Sequence, residues 1–87
     1  MITEETQFMA KVKEVIQDYY ENIGKVMGVN SDDIFIVWQC KTLQNWKAMA
    51  STYISDGRYF EITYNGDENE LYLDVYVKEH NECIKFG

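Results

Sequence analysis

The stretch from Ile34 to Val77 most constrains the fold. It divides into four short runs separated by turn residues, and the last run sets the pattern. In Glu70–Val77, Leu71, Leu73, Val75 and Val77 fall on one side, and Tyr72, Asp74, Tyr76 and then Lys78 on the other. A period of two marks a half-buried strand of an antiparallel sheet. The preceding run, Arg58–Tyr64, alternates Phe60, Ile62 and Tyr64 with Tyr59, Glu61 and Thr63, and Asn65-Gly66-Asp67-Glu68-Asn69 joins the two runs. Upstream, Trp46–Ile54 places Trp46, Ala48, Ala50, Thr52 and Ile54 on one side, and Ser55-Asp56-Gly57 follows with a strong hairpin pair. The first run, Ile34 to about Thr42, is apolar on both sides at its start, which suits a strand covered on both faces or central in the sheet. Leu43-Gln44-Asn45 reads as its turn.

Before the strands, Thr3 to about Met27 carries apolar residues at three- and four-residue spacing: Phe8, Val12, Val15, Ile16, Tyr19, Ile23, Val26 and Met27. That spacing predicts one amphipathic helix about 35 Å long. Thr3 is the expected N-cap, and Gly24 or Gly28 the expected left-handed stop. The predicted architecture is α+β: one long N-terminal helix packed on a four-stranded antiparallel meander within a single domain, residues 1–87. The expected core face is Phe60, Ile62, Leu71, Leu73, Val75 and Val77, with the even-numbered residues of the first two strands. The helix is expected to meet it through Val12, Val15, Ile16, Tyr19 and Ile23. In the tail Lys78–Gly87, Ile84 and Phe86 alternate, which suits either a short fifth strand or a loosely held end.

Charge narrows the range of partners. Fifteen acids against eight bases give a net charge of −7. Direct nucleic-acid binding needs a basic patch, so this balance disfavours it and fits a protein partner with a basic surface. No apolar run approaches a membrane span, and the start Met1-Ile2-Thr3-Glu4-Glu5 lacks the features of a signal peptide. A cytoplasmic setting is therefore expected, with Cys40 and Cys83 reduced.

Catalytic and metal motifs are missing. His80 is the single histidine, beside Glu79 and Asn81 near the tail, and is expected to be a solvated surface residue. Two cysteines and one histidine are too few for a structural zinc site. Cys40, alternating with Ile36 and Trp38, is expected to be a buried small hydrophobe. Asp67-Glu68-Asn69-Glu70 is an acidic turn without the ordered spacing of a calcium loop. No cofactor is expected, and no enzyme activity. Glu61 and Asp74 would serve acid–base chemistry only inside a deep cleft.

The tyrosines point to binding instead. Tyr59, Tyr72 and Tyr76 share the face opposite the expected core with Glu61 and Asp74, Tyr53 extends it from the second strand, and Asp67 and Glu68 add charge at its end. Tyrosine is enriched at interface hot spots, and a large exposed aromatic patch commonly has a role. The competing explanation is cross-strand aromatic pairing that stabilises the sheet, or a cover supplied by a second helix or the tail.

Val37-Trp38-Gln39-Cys40-Lys41-Thr42-Leu43-Gln44-Asn45 with Lys47-Ala48, then Ser55 through Asp67, then Glu70 through Tyr76 resemble a small family encoded in phages and prophages of Gram-positive bacteria, a domain of unknown function. These stretches cover about a third of the chain, and no catalytic residue carries over. The resemblance implies a phage origin and a small size rather than an activity; by analogy with phage accessory proteins as a class, the chain is expected to act in the cytoplasm of an infected host. It would bind and inhibit a host or anti-phage defence protein, such as a nucleic-acid-binding CRISPR effector. The alternative is a homodimeric structural protein that uses the same face or a sheet edge.

Overall fold

The structure, a computed structural model, describes residues 1–87. Helix α1 spans Glu5–Tyr19, and the strands are β1 Ile34–Thr42, β2 Asn45–Thr52, β3 Arg58–Asn65 and β4 Glu70–Val77. They form one antiparallel sheet in the order β1-β2-β3-β4, with α1 on one face. The predicted α+β class and the four-strand meander are both present. No fifth strand forms, since residues 78–87 have no regular structure.

Glu4, rather than Thr3, caps the helix. Its backbone is extended (φ −127°, ψ 151°), and its N–H donates to Gln7 Oε1 at 3.0 Å. The Thr3 N–H donates to the same oxygen at 2.9 Å, so one glutamine side chain occupies two donors just before the first turn. The expected continuation to Met27 does not occur. After Tyr19 the chain makes one π-helical turn, Tyr20–Gly24, and Lys25 takes the left-handed conformation (φ 56°). Ile23, expected in the core, is thereby exposed. Neither Gly24 nor Gly28 supplies the left-handed stop. Gly24 allows a close approach, since a Cβ there would lie 2.6 Å from the Arg58 guanidinium and displace it.

That guanidinium closes the helix end. It lies over the rings of Tyr19 and Tyr20, each 5.6 Å away, and 3.6 Å from the Asp56 carboxylate. Tyr20 is fully buried, and its hydroxyl donates to Asp56 Oδ2 at 2.8 Å. Burial foremost raises the Tyr20 pKa; the Thr52 hydroxyl opposes the rise and Asp56 adds to it.

Phe8, Val12, Ile16 and Tyr20 recur every four residues, a single stripe buried against Ile34, Trp46, Ala48, Ala50, Phe60, Ile62 and Tyr64. Phe8 stacks on Trp46 at 5.4 Å and Tyr19 meets Phe60 edge-on at 5.8 Å, so the helix packs its side chains on β2 and β3, while its backbone comes nearest to β1. The small Ala48 and Ala50 permit this packing. The predicted β4 core side is right in orientation but lies at the rim. Leu71, Leu73 and Val75 are half-buried, and Val77 is 68% exposed.

Strand β1 departs from simple alternation. Ile36 pairs with Ala50, and the next paired residue, Trp38, faces Met49, leaving Val37 as a bulge. Beyond it every side chain changes face. Trp38 and Cys40, expected on the helix side, are exposed on the other; Gln39 takes the helix side and its amide donates to Glu5 Oε1 at 2.6 Å. Removing the extra residue leaves Ile36 and Trp38 as ordinary neighbours with their facing unchanged. Deletion of Val37 is therefore expected to change stability by less than about 1 kcal/mol. In a strand without the bulge the same deletion would turn half of β1 over. Urea denaturation distinguishes the two: a loss of several kcal/mol contradicts the bulge.

Candidate functional site

With α1 on one side only, the other side of the sheet is open. The molecule measures 45 × 38 × 20 Å, and its thin dimension is about that of one helix on one sheet. The face is built by strand parity. Across β3 and β4 the cross-strand pairs are Tyr59 with Tyr76, Glu61 with Asp74, and Thr63 with Tyr72. Across β2 and β3, Met49 meets Glu61 and Ser51 meets Tyr59. All these residues project away from the helix.

The tyrosines have distinct surroundings. Tyr59 and Tyr76 stack face to face, with centroids 5.0 Å apart and planes inclined by 14°. Tyr72 is 53% exposed, and its hydroxyl donates to Glu70 Oε2 at 2.7 Å. Tyr53 lies just past the end of β2, 72% exposed, against the ring of Phe35 at 4.8 Å. Phe35 and Trp38, the latter 43% exposed, extend the apolar area toward β1. Neither was among the expected site residues. Phe35 sits in a run with no polar alternation, and Trp38 reaches this face only through the bulge.

The charges concentrate near the middle. Glu61 and Asp74 are direct cross-strand neighbours, an arrangement that costs stability. Lys47 lies 3.6 Å from Glu61. The Glu61 charge foremost, with a smaller contribution from Asp74, pushes the Tyr76 phenol above its ordinary value. The hydrogen bond to Glu70 does the same for Tyr72. Asp67 and Glu68 do not join this cluster. They occupy the β3–β4 turn at the end of the sheet, where Asp67 accepts from the Gln44 side-chain amide.

Asp74 is exposed on the open side of the sheet, and Glu61 beside it is half-buried. No three His, Cys, Asp or Glu side chains converge in a way that would hold a metal ion. Cys40 and Cys83 are both exposed free thiols, and His80 contacts Glu82 at 2.9 Å. No helix is long and apolar enough to cross a membrane. What this face offers chemically is stacking area, phenol hydroxyls and carboxylates.

Residues 9–86 match a family of unknown function, DUF6275. No curated protein and no solved structure matched the chain.

Proposed function

We propose, for a chain that belongs to the DUF6275 family, a role in binding another protein through the open sheet face. The observation that carries this reading is the aromatic and acidic composition of that uncovered face. Phe35, Trp38, Tyr53, Tyr59, Tyr72 and Tyr76 surround Glu61, Asp74 and Glu70. Aromatic area with a few carboxylates suits a partner that presents arginine or lysine, since guanidinium groups both stack on phenol rings and pair with carboxylates. The net charge of −7 favours the same partner at long range.

The resemblance to phage- and prophage-encoded proteins supports a bacterial host or anti-phage defence protein as that partner, met in the cytoplasm of the infected cell. A nucleic-acid-binding defence protein fits especially well. Its phosphate sites are basic, and carboxylates seated there would block them.

Asp74 gives a clean test. It faces Glu61 and has no cation beside it, so Asp74→Asn removes a repulsion. The variant is expected to gain about 0.2–1 kcal/mol in stability and to bind its partner more weakly. Glu61→Lys and Asp74→Lys together are expected to abolish recovery of the partner from a Gram-positive host lysate. Unchanged recovery by the charge-reversed protein, with its unfolding transition intact, would rule out this surface.

A further inference from the structure

We infer that the free edge of β4 is a self-pairing site, which takes the β4 strand of a second copy antiparallel to itself. This goes beyond the reading of the open face and stands independently of it. The sheet has two free edges, β1 and β4, and they differ. The bulge at Val37 breaks the β1 edge, and Lys41 lies along it. Bulges and edge lysines are how native sheets prevent edge pairing. Strand β4 has neither. Its eight residues, ELYLDVYV, pair without interruption to β3 and contain no lysine, proline or glycine.

The backbone direction follows from one hydrogen bond. The Lys78 N–H donates to the Gly57 carbonyl at 2.7 Å, in register with the pairs Arg58–Val77 and Tyr59–Tyr76. In an antiparallel ladder the inward-bonding residues alternate, so Tyr76, Asp74 and Tyr72 direct their N–H and C=O groups to β3. Leu71, Leu73, Val75 and Val77 direct theirs outward, unpaired. Leu71, Leu73 and Val75, half-buried, and the exposed Val77 form the apolar rim at the edge of the core. One added strand would pair these backbone groups and cover that rim.

Charge complementarity favours a second copy as the occupant and opposes the register centred on Asp74. A two-fold axis at Asp74 would set Asp74 against its own copy, which like-charge repulsion opposes. An axis at Val75 sets Val75 against Val75 and Leu73 against Val77 on the helix side. On the open side it sets Asp74 against Tyr76 and Tyr72 against Lys78. Each Lys78 then lies diagonally between Glu70 and Asp74 of the other copy, so β4 is complementary to itself in charge as well as in apolar pattern. The product is an eight-stranded sheet with two helices on one side and a doubled aromatic face on the other.

The parity also supplies the test. A proline at position 75 removes only an outward N–H, so Val75→Pro blocks edge pairing and leaves the β3–β4 ladder whole. Val77→Lys places a charge on an already exposed rim residue and keeps the fold if the proline does not. Sedimentation velocity across low to high micromolar concentrations should show a dimer for the wild-type chain. Dimerisation should be at least about tenfold weaker for either edge variant and unchanged for Glu61→Lys. A wild-type chain that stays monomeric at high micromolar concentration overturns the proposal, as does a dimer that neither edge variant weakens. Because Glu61→Lys tests the face and Val77→Lys the edge, failure of one reading is separable from failure of the other.

Discussion

Phe60→Ala is expected to lower stability by about 3–5 kcal/mol, the usual cost of removing a fully buried phenylalanine. Phe60 has no exposed surface, and its ring meets Tyr19 at 5.8 Å and Tyr20 at 5.6 Å, both edge-on. The deletion therefore removes the contact between β3 and the end of the helix and leaves the Tyr20–Asp56–Arg58 cluster packed against a void. For a chain of 87 residues, whose whole stability is on the order of 4–13 kcal/mol, the variant would be only marginally folded. Leu73→Ala should cost less than about 2 kcal/mol, because half-buried Leu73 gives up less contact and a rim site leaves no closed cavity. Tyr72→Ala on the open face should cost least. Urea denaturation of the three variants gives the order. If Tyr72→Ala proves the most damaging, the helix covers the other face and the aromatic surface is core.

That order depends on facts of unequal visibility in the sequence. The side of β4 that meets the helix was legible because aliphatic residues alternate with Tyr72, Asp74, Tyr76 and Lys78, and charged groups cannot be buried cheaply without partners. How deeply each aliphatic residue is buried was not legible. One helix is too narrow to cover four strands, and its packing on β2 and β3 depends on the small Ala48 and Ala50 acting together with the Phe8–Trp46 stack. The end of the helix was misread for a similar reason. Apolar spacing continues through Val26 and Met27, while the helix ends at Gly24, whose carbonyl accepts from Arg58, more than thirty residues away.

The candidate face was legible where alternation holds and obscured where it fails. Tyr59, Glu61, Tyr72, Asp74 and Tyr76 are placed by parity alone, and the register brings them together as that parity implies. Trp38 and Cys40 are not, since one unpaired residue reverses every assignment after it. Ile34-Phe35-Ile36-Val37-Trp38 is apolar throughout, so no polar residue marks where the reversal occurs. Alternation of Ile84 and Phe86 left a fifth strand and a loose end both open, and the structure has the second, with both residues exposed in the tail and no neighbouring strand. A two-residue alternation is too short to secure a strand by burial.

Gly66→Ala is expected to cost about 3 kcal/mol, the upper part of the range for forced overpacking. Following Asn65 in a turn, Gly66 looks like a glycine chosen for a left-handed backbone. Its φ is not positive; Asn69, at the end of the same turn, takes that conformation with φ 52°. The need for glycine is one of space. Gly66 is buried, its N–H donates to Asn45 Oδ1 at 2.9 Å, and a Cβ would clash with the Gln44 carbonyl oxygen. Because that oxygen belongs to the backbone of the β1–β2 turn, rotating a side chain cannot relieve the clash. One of the two turns must move, which also displaces the contact between Gln44 and Asp67. Gly57 provides the contrast. Its φ is 73°, but an added Cβ would meet only Lys78 Cβ at an ordinary 3.8 Å. Gly57→Ala should therefore cost only the left-handed penalty, about 1–2 kcal/mol. Backbone preference alone predicts the opposite order, with Gly57 the sensitive position and Gly66 the tolerant one. Chemical denaturation of both variants decides between the two accounts: a loss at Gly66 no larger than that at Gly57 would show that the turns do not lock against each other.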